Sequence, residues 1–374
     1  MSAVPGQIIV EEFYLVNNSD AKKQKANMIW DLVSNLYIYE NIFSENMYGV
    51  IQMYDSNNLY SNLPIDGNTF VVMKLKCPTT GKRVSGVFRV YKITDIKQEE
   101  NAVQTYNIHF VSTEMFTSRK IRVSGKVTKQ LPRKIQEFHK MFSQKKLEIG
   151  NDTTDTTLYF PNISPAEAIR LMVENMKWRN GVPDYCYWET FDSYYCKSLV
   201  QCLLDSPVHN IRTDYKLYYP ATEDLGYADL IRISDILVKK NFNAIENLYN
   251  GYNGSLVFTH DPLTATTSVY SSGSEIYSNY YTFSAPCLDY NAISRRQQIL
   301  KSIANTYYYV QVPGLLTRKS GDLADVSIQT KGAESYQNLD LSGRRLICGI
   351  VHCIDHRGKY NQNITLGNYF LETK

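Results

Sequence analysis

Four side chains near the carboxyl end are of the types that bind zinc: Cys348, His352, Cys353 and His356. Structural zinc is usually held by four cysteine and histidine ligands around one point. On an extended strand, however, Cys348 and His352 face one side and Cys353 faces the other, and the spacing matches no zinc finger. The pattern therefore predicts small side chains that fill both faces of a strand, and we expect no metal and no cofactor.

Paired carboxylates are the other groups whose chemistry could be catalytic. Glu11 and Glu12 are adjacent in sequence, as are Glu99 and Glu100. On a strand, adjacent side chains point to opposite faces, so neither pair can act on one substrate. No nucleophile motif accompanies the histidines, and no glycine-rich phosphate loop with a lysine occurs. The sequence therefore predicts a protein that is not an enzyme.

The composition excludes several other classes of protein. With 374 residues, of which 43% are hydrophobic and 21% charged, the chain is long enough for two or three folded domains. The net charge of +3 is too small for a dedicated nucleic-acid binder, and no apolar run approaches the length of a membrane span. Without a secretory signal, folding in the cytoplasm is expected. The 30 tyrosines against 14 phenylalanines favour large, partly wet contact surfaces.

Apolar and polar residues alternate through the first 125 residues, which predicts strands. The alternation is clear in Leu36–Ile42 and Tyr48–Tyr54 and continues at 70–76, 86–93 and 103–111. Turn-forming residues separate these segments. The pattern indicates an antiparallel β module over residues 1–125.

Helical signals follow between residues 126 and 210. Ser164-Pro165-Ala166-Glu167 combines an N-cap, a proline at the first helical position and a glutamate placed to close a capping box. Apolar residues at helical spacing also follow Pro132, and a second helix is predicted over 191–205. These features predict a helical or mixed domain at 126–210.

Strands are predicted again in the last third of the chain. They lie at 215–219, 229–233, 307–312, 323–328, 345–353 and 362–366, and Ser234 is expected to cap a helix that runs to Tyr249. An amphipathic helix is predicted at 293–304. The segment 250–290 is rich in Gly, Ser, Thr, Asn and Tyr and has few aliphatic residues, which predicts a small β insertion. A second β module would thus comprise 211–249 and 291–374.

The two β regions share an internal repeat. Gly67-Asn68 corresponds to Gly321-Asp322, Ser85-Gly86 to Ser342-Gly343, and Asn107-Ile108 to Asn363-Ile364. The three offsets, 254, 257 and 256 residues, are nearly equal and the anchors keep their order. A duplicated β module is therefore predicted.

Two regions of the sequence, one in each predicted β module, resemble a known family. The run from Ile38 to Phe43, the run from Tyr48 to Leu59 and the run from Leu63 to Asn68 resemble the opening tube module of baseplate hub proteins of contractile-tailed, T-even-like bacteriophages. The helix with Arg295-Arg296, followed by 307–312 and Pro313-Gly314, resembles the start of that family's second tube module. The resemblance implies an α+β, mainly β fold, with two tandem tube-like antiparallel β-barrel modules, a helical domain between them and the small β insertion in the second.

The resemblance also implies a function and partners. Family members are homotrimers whose paired modules form a pseudo-sixfold ring, located in the virion tail baseplate and assembled in the host cytoplasm. The ring joins the hexameric tail tube, or a tube-initiator protein, above to a trimeric spike with an OB-fold and β-helix below. Other baseplate proteins surround it, genomic DNA passes only transiently through its channel, and no stable membrane association is expected.

Eight residues are candidates for contacts in this ring. Glu40 is either an edge charge that discourages unwanted strand pairing or a contact at the ring joint, and the joint is favoured because the resemblance is densest there. Three glycines are expected in turns between tube strands. The full set is Glu40, Ile42, Asp55, Gly67, Arg295, Arg296, Gly314 and Gly321.

Two other functions remain open from the residues alone. A tyrosine-rich carbohydrate-binding β protein of a phage tail would stack exposed aromatic rings on sugars. A wall-degrading enzyme would lose turnover when one carboxylate is changed.

Overall fold

The computed structural model describes most of the chain. It covers residues 6–17, 27–62, 65–98, 103–151, 157–178, 181, 183–212, 232–240, 254–261, 266–273, 278–283, 295, 296, 299, 300, 303, 306–330, 336, 337 and 342–367. The strand predicted at 215–219 and most of that at 229–233 lie outside these residues. The fold class is confirmed as mainly β with helices, and none of the described helices has the length and apolar character to cross a membrane.

The first β region forms the strands that its alternation predicts. In β4 and β5 every second side chain is buried, and β3 shows the same alternation from Leu36 onward, after a register shift near its start. Their buried faces share one core with Phe13, Phe88 and Phe110. The elements are β1 (Ile9–Asn17), β2 (Asn27–Met28), β3 (Val33–Asn41), β4 (Tyr48–Asp55), α1 (Leu59–Asn62), β5 (Thr69–Lys76), β6 (Arg83–Gln98) and β7 (Gln104–Ser112).

The middle region packs helices against short sheets. The capping box is confirmed: the Ser164 hydroxyl accepts from the Glu167 N–H at 3.3 Å, and the Glu167 carboxylate accepts from the Ser164 N–H at 2.8 Å. A separate core holds this region together. The elements are α2 (Thr113–Arg119), β8 (Val123–Thr128), α3 (Leu131–Phe142), β9 (Lys146–Ile149), β10 (Thr157–Ile163), α4 (Pro165–Asn175), β11 (Tyr185–Glu189), β12 (Ser193–Ser198) and α5 (Leu199–Asp205).

The helix predicted over 191–205 is wrong in its first half. Ser193–Ser198 is strand β12, and only Leu199–Asp205 is helical. β12 pairs with β11 on one side and with β9 on the other, which buries Tyr194 and Cys196 completely. Pairing with β9, some fifty residues earlier in the chain, stabilises the extended form, a tertiary effect that helical spacing does not register.

The second β region contains a similar correction. The helix predicted from Ser234 is a strand over Asp235–Lys240, paired with Thr306–Pro313; its predicted continuation at 241–249 lies outside the described residues. Residues 295, 296, 299, 300 and 303 are helical, as predicted. The strands are β13 (Val208–Arg212), β14 (Asp235–Lys240), β15 (Gly254–Asp261), β16 (Thr266–Gly273), β17 (Ser278–Phe283), β18 (Thr306–Pro313), β19 (Leu323–Ser327), β20 (Gln329–Thr330), β21 (Tyr336–Gln337), β22 (Gly343–Asp355) and β23 (Tyr360–Gly367).

The two β regions have the same strand order. The first runs β3-β4-β7-β6-β5 and the second runs β14-β18-β23-β22-β19, with every neighbour antiparallel. Each has a register shift at the same place, between Val90 and Lys92 in β6 and between Ile347 and Gly349 in β22. A bulge is a specific feature of a strand. Its occurrence at equivalent positions therefore supports the duplication.

The two regions are joined in one sheet. β22 pairs with β19 through residues 343–346 and then with β3 through residues 349–355. Two separate closed barrels are not confirmed, because the described strands run continuously from β14 to β2 in a 13-stranded sheet. The sheet is not wholly antiparallel either, since β13 pairs with β19 in parallel. Strands β15, β16 and β17 form a separate three-stranded sheet in the predicted insertion.

Candidate assembly interface

The joint between β22 and β3 is the contact through which one half of the chain continues into the other. It has seven antiparallel rungs, from Gly349 opposite Asn41 to Asp355 opposite Asn35. We call these paired segments, 349–355 and 35–41, the internal joint. Because the halves are duplicates, the internal joint also indicates how one copy of the chain could be joined to the next.

Two sheet edges equivalent to the internal joint have no second partner among the described strands. The equivalent of 349–355 is the second part of β6, whose residues 92–98 pair only with β7 among the described strands. The equivalent of β3 is β14, which within the same described set pairs only with β18. Ile96 on the β6 edge is half exposed. An exposed strand edge with apolar side chains is a contact site for another strand. We call these segments, 92–98 and 235–240, the free edges.

A buried polar network crosses the internal joint. Glu40 of β3 lies opposite Ile350 of β22, and its carboxylate Oε1 is 3.3 Å from His352 Nε2. The other carboxylate oxygen accepts from the Ser320 N–H at 3.3 Å. His352 Nδ1 lies 2.7 Å from the Tyr360 hydroxyl. All these residues are almost completely buried, including Ser320, which contributes its backbone N–H, so the network fixes the register of the two halves.

The same network extends to a buried arginine. Arg318 is 2% exposed and its Nη1 donates to the carbonyl of Pro313 at 2.9 Å and to Gln362 Oε1 at 3.1 Å. Gln362 Nε2 in turn donates to the Tyr360 hydroxyl at 3.0 Å. Burial, with the nearby charge of Glu40 as a further cause, raises the pKa of Tyr360 well above its ordinary value. Tyr360 is therefore a neutral hydroxyl within the network at physiological pH.

A hairpin of the middle region contacts both halves of the chain and joins them. It consists of β11, the turn at 190–192 and β12, and we call residues 185–198 the junction hairpin. The Glu189 carboxylate accepts from the Met47 N–H at 2.8 Å and from the hydroxyl of Ser112, both in the first half. It also pairs with Lys145 of the middle region. Burial raises the pKa of Glu189, and the charge of Lys145 partly offsets this.

The junction hairpin also contacts the second half. The Trp188 Nε1–H donates to the carbonyl of Ser320 at 3.1 Å, and its indole ring packs so closely on Gly321 that a Cβ there would lie 2.5 Å from it. Gly321 has φ +90°, a conformation that glycine adopts without strain. The Asp192 carboxylate binds Lys82 of the first half at 2.7 Å and Lys319 of the second half at 3.3 Å. The hairpin thus bridges both modules.

Six of the eight predicted ring residues make contacts inside the chain. Besides Glu40 and Gly321, Ile42 is buried in the core around Trp188. Asp55 is fully buried and accepts from the N–H groups of residues 57 and 60 and from the hydroxyl of residue 106. Gly314 packs on the ring of residue 360.

Arg296 completes this set of six, and the remaining two residues are exposed. Arg296 is buried and its Nη1 donates to the carbonyls of Pro183 and Tyr185, so it ties the second half to the middle region. Gly67 and Arg295 are exposed. A contact in the ring stays a prediction for all eight residues, and the six buried ones also hold the chain together from inside.

The candidate zinc ligands do not converge. His352 belongs to the buried network, whereas Cys348 is buried in a different core, against Trp188. Cys353 lies on the opposite face of β22, where burial raises its pKa to about 11, and His356 is exposed in a turn. Among the residues that the structure describes, no group of three or more histidine, cysteine or carboxylate side chains is placed to hold a metal ion.

Comparison with known proteins gives matches in structure alone. No protein-family profile matches the chain, and no curated protein matches it in sequence. The 43-kDa tail protein of prophage MuSo2 from Shewanella oneidensis is similar with a TM-score of 0.59 at 11% identity, over 95% of this chain and 97% of that one. A tail protein from Neisseria meningitidis MC58 is similar with a TM-score of 0.54 at 6% identity, over 96% and 97%. The chain has the fold of phage tail proteins.

A secretion-system protein shares this tail-protein fold. An E. coli component of the type VI secretion system, described as structurally similar to the T4 bacteriophage tail proteins gp27 and gp5, matches with a TM-score of 0.50 at 9% identity. The match covers 98% of this chain and 77% of that one. The resemblance to tail hub proteins inferred from two sequence segments is thereby confirmed at the level of the fold.

Sequence reasoning missed the junction hairpin and the arginine of the buried network. Glu189 and Arg318 have no distinctive neighbours in sequence, and they become important only when three distant segments meet. A usable signal was present for the hairpin: Tyr185–Glu189 and Ser193–Ser198 are both rich in tyrosine and flank a short polar turn, which is typical of paired strands.

Proposed function

We propose that the chain is a structural hub protein of a contractile phage tail baseplate. Three copies form a ring with pseudo-sixfold symmetry, which adapts the hexameric tail tube, or a tube initiator, to a trimeric OB-fold and β-helix spike and surrounds the genome channel. Other baseplate proteins contact the outside of the ring. We retain the domain bounds 1–125, 126–210, 211–249 with 291–374, and 250–290 as part of this proposal.

The observation that carries the proposal is the match between the internal joint and the free edges. The pair formed by β22 and β3 inside the chain has its counterpart in 92–98 and 235–240, two edges that no further described strand covers. Pairing 92–98 of one copy with 235–240 of the next repeats the internal joint and leaves neither edge free. Six similar joints then alternate around a ring of three copies, three within chains and three between chains.

The size of the ring favours three copies. Eight strands per chain, β14-β18-β23-β22-β3-β4-β7-β6, would line it. Strands of a closed sheet tilt by about 40° from the axis, so at a strand spacing of about 4.8 Å three copies give a circumference of about 150 Å and a diameter of about 48 Å. Side chains on one sheet face extend about 5 Å, so the opening is about 38 Å wide. Two copies leave an opening of about 22 Å, which gives a DNA duplex roughly 20 Å across no clearance for its hydration.

The mass of the purified chain in solution tests the proposal. Sedimentation equilibrium at micromolar concentration is expected to give three times the 43.1-kDa mass of the chain, and negative-stain images are expected to show a ring with a central opening. A stable monomer, with or without added tail tube, would contradict the proposal.

A further inference from the structure

One face of the central six strands carries no core. On β18, β23, β22, β3, β4 and β7 the side chains opposite the buried series are half-buried or exposed, and none of them belongs to a hydrophobic core of the described residues. We call this surface the open face. Its members are Tyr309, Gln311, Asn361, Asn363, Thr365, Val351, Cys353, Asp355, Asn35, Tyr37, Tyr39, Asn41, Tyr48, Val50, Gln52, Tyr54, Thr105, Asn107 and His109.

The open face is almost without charge. Asp355 is its one carboxylate, at the end of β22, where it accepts from the N–H groups of Arg357 and Lys359. The face contains no lysine or arginine, although 21% of the whole chain is charged. Burial lowers the pKa of His109, so this imidazole is neutral at physiological pH. Amides, hydroxyls and tyrosines take the place of charges.

Charged side chains return at the border of the open face. On β6, Lys92 lies opposite His109 and Lys97 opposite Thr105, and the Asp95 carboxylate accepts from Asn107 at 2.7 Å. These groups lie on the free edge. Charges of both signs at this edge suit a seam between two copies, whereas the strands between the seams remain neutral.

The tyrosines of the open face are not arranged for stacking on sugars. Tyr39 and Tyr48 are opposite each other on neighbouring strands, and their rings are stacked with centroids 4.7 Å apart and an angle of 7° between the planes. That separation equals the strand spacing, so the rings stand on edge and face each other across the strands. A sugar ring binds flat on an aromatic face. The arrangement therefore favours a smooth polar wall over a carbohydrate site.

We infer that the open face is the channel wall of the proposed ring and that its lack of cations allows duplex DNA to pass without being held. The inference rests on the proposed function, since the face surrounds a channel only if the free edges pair. Tight DNA binding comes mainly from lysine and arginine neutralising phosphates. Between the seams, the wall of amides and hydroxyls offers no such neutralisation, and with one carboxylate per chain it repels the phosphates only weakly. The lysines and the aspartate of the free edge lie at the seams, where charges of both signs meet.

Arginines introduced on the wall provide the test. The variant Gln52→Arg with Asn361→Arg places one arginine in each half, hence six around a ring. The control Ser124→Arg with Gln136→Arg adds the same charge at exposed positions of the middle region. Each protein is mixed with linear duplex DNA and with covalently closed circular DNA, and retention is measured by gel shift at 50 and 200 mM salt. Linear DNA can thread a ring, whereas closed circular DNA cannot.

The expected results test the channel wall and the ring of three copies independently. The unmodified protein is expected to retain neither DNA, and the wall variant to retain linear but not circular DNA, with affinity falling about 10³-fold between the two salt concentrations for six phosphate contacts. The control is expected to treat both DNA forms alike. If trimers of the wall variant bind circular DNA as well as linear DNA, or bind neither, the open face is not the channel wall. The ring of three copies would still stand in that case. Salt-dependent DNA binding by the unmodified trimer would also contradict the assignment of the channel wall. A monomer would contradict both the channel wall and the ring.

Discussion

Replacing Glu189 with alanine is expected to lower the free energy of unfolding by about 3–5 kcal/mol, the usual cost of removing one partner of a buried ion pair. The substitution leaves Lys145 without its carboxylate, and it leaves the Met47 N–H and the Ser112 hydroxyl without an acceptor. The two regions that the carboxylate joins would then separate more easily. Urea unfolding followed by tryptophan fluorescence measures the change, because Trp188 is the neighbouring residue.

Glu148 provides the matched control for this substitution. It forms ion pairs with Lys146 at 3.1 Å and Lys197 at 3.3 Å, but all three side chains are partly exposed. Exposed pairs contribute about 0–1 kcal/mol, so Glu148→Ala is expected to have little effect. Equal losses in the two variants would show that the buried carboxylate has no special part in joining the regions.

Replacing Arg318 with methionine is expected to cost about 1–3 kcal/mol, because two buried acceptors lose their charged donor. Methionine fills much of the same volume but cannot donate to the carbonyl of Pro313 or to Gln362. The loss should be measured by urea unfolding under the conditions used for Glu189.

A double variant distinguishes charge from packing at this position. Changing Glu40 to glutamine together with Arg318→Met removes both ionisable groups, so the loss is expected to be smaller than the sum of the two single losses by about 0.5–3 kcal/mol. Strictly additive losses would mean that Arg318 and Glu40 do not act in one network.

The two-residue alternation of apolar and polar side chains was sufficient to predict most strands of the sheet. In β3 and β4 a buried face and an open face alternate residue by residue, so the polarity of each position reports its side of the sheet. The duplication was also visible, because glycines and serines at turns keep their spacing when the turns are kept. Ser164 and Glu167 predicted a helix start because a capping box is a local interaction.

Segments whose conformation depends on distant partners were predicted less well. Ser193–Ser198 and Asp235–Lys240 are six residues each and carry apolar residues compatible with either a strand or a helix. Their conformation follows from pairing with β9 and β18, which are far away in sequence. For short apolar segments of this kind, pairing with a neighbouring strand determines the secondary structure, and the local spacing of apolar residues does not.

The candidate site illustrates the same limit. Glu40 was identified as unusual because a carboxylate interrupts an apolar series, and the structure places it at the internal joint. Its partners His352 and Ser320 could not be inferred, since they are about three hundred residues away in the chain. The repeat pointed to a joint, but the pairing of β22 with β3 was needed to locate it.

A disulfide across the free edges tests the central claim most directly. β6 has a second register shift, between Thr94 and Lys97, so its residue 97 takes the place that Cys353 has in β22. By equivalence with the internal joint, residue 97 of one copy should therefore lie opposite residue 237 of the next, as Cys353 lies opposite Tyr37 within the chain. The variant Lys97→Cys with Leu237→Cys is therefore oxidised and run on a denaturing gel. Its matched control is Tyr37→Cys, which can bond to the native Cys353 inside one chain.

The two proteins should give opposite patterns. The free-edge pair is expected to give covalent species of two and three chains and none larger, whereas the control should remain at the mass of one chain, with a disulfide that reduction removes. Oxidised free-edge cysteines that yield only single chains, or a ladder extending beyond three, would contradict a closed ring of three copies.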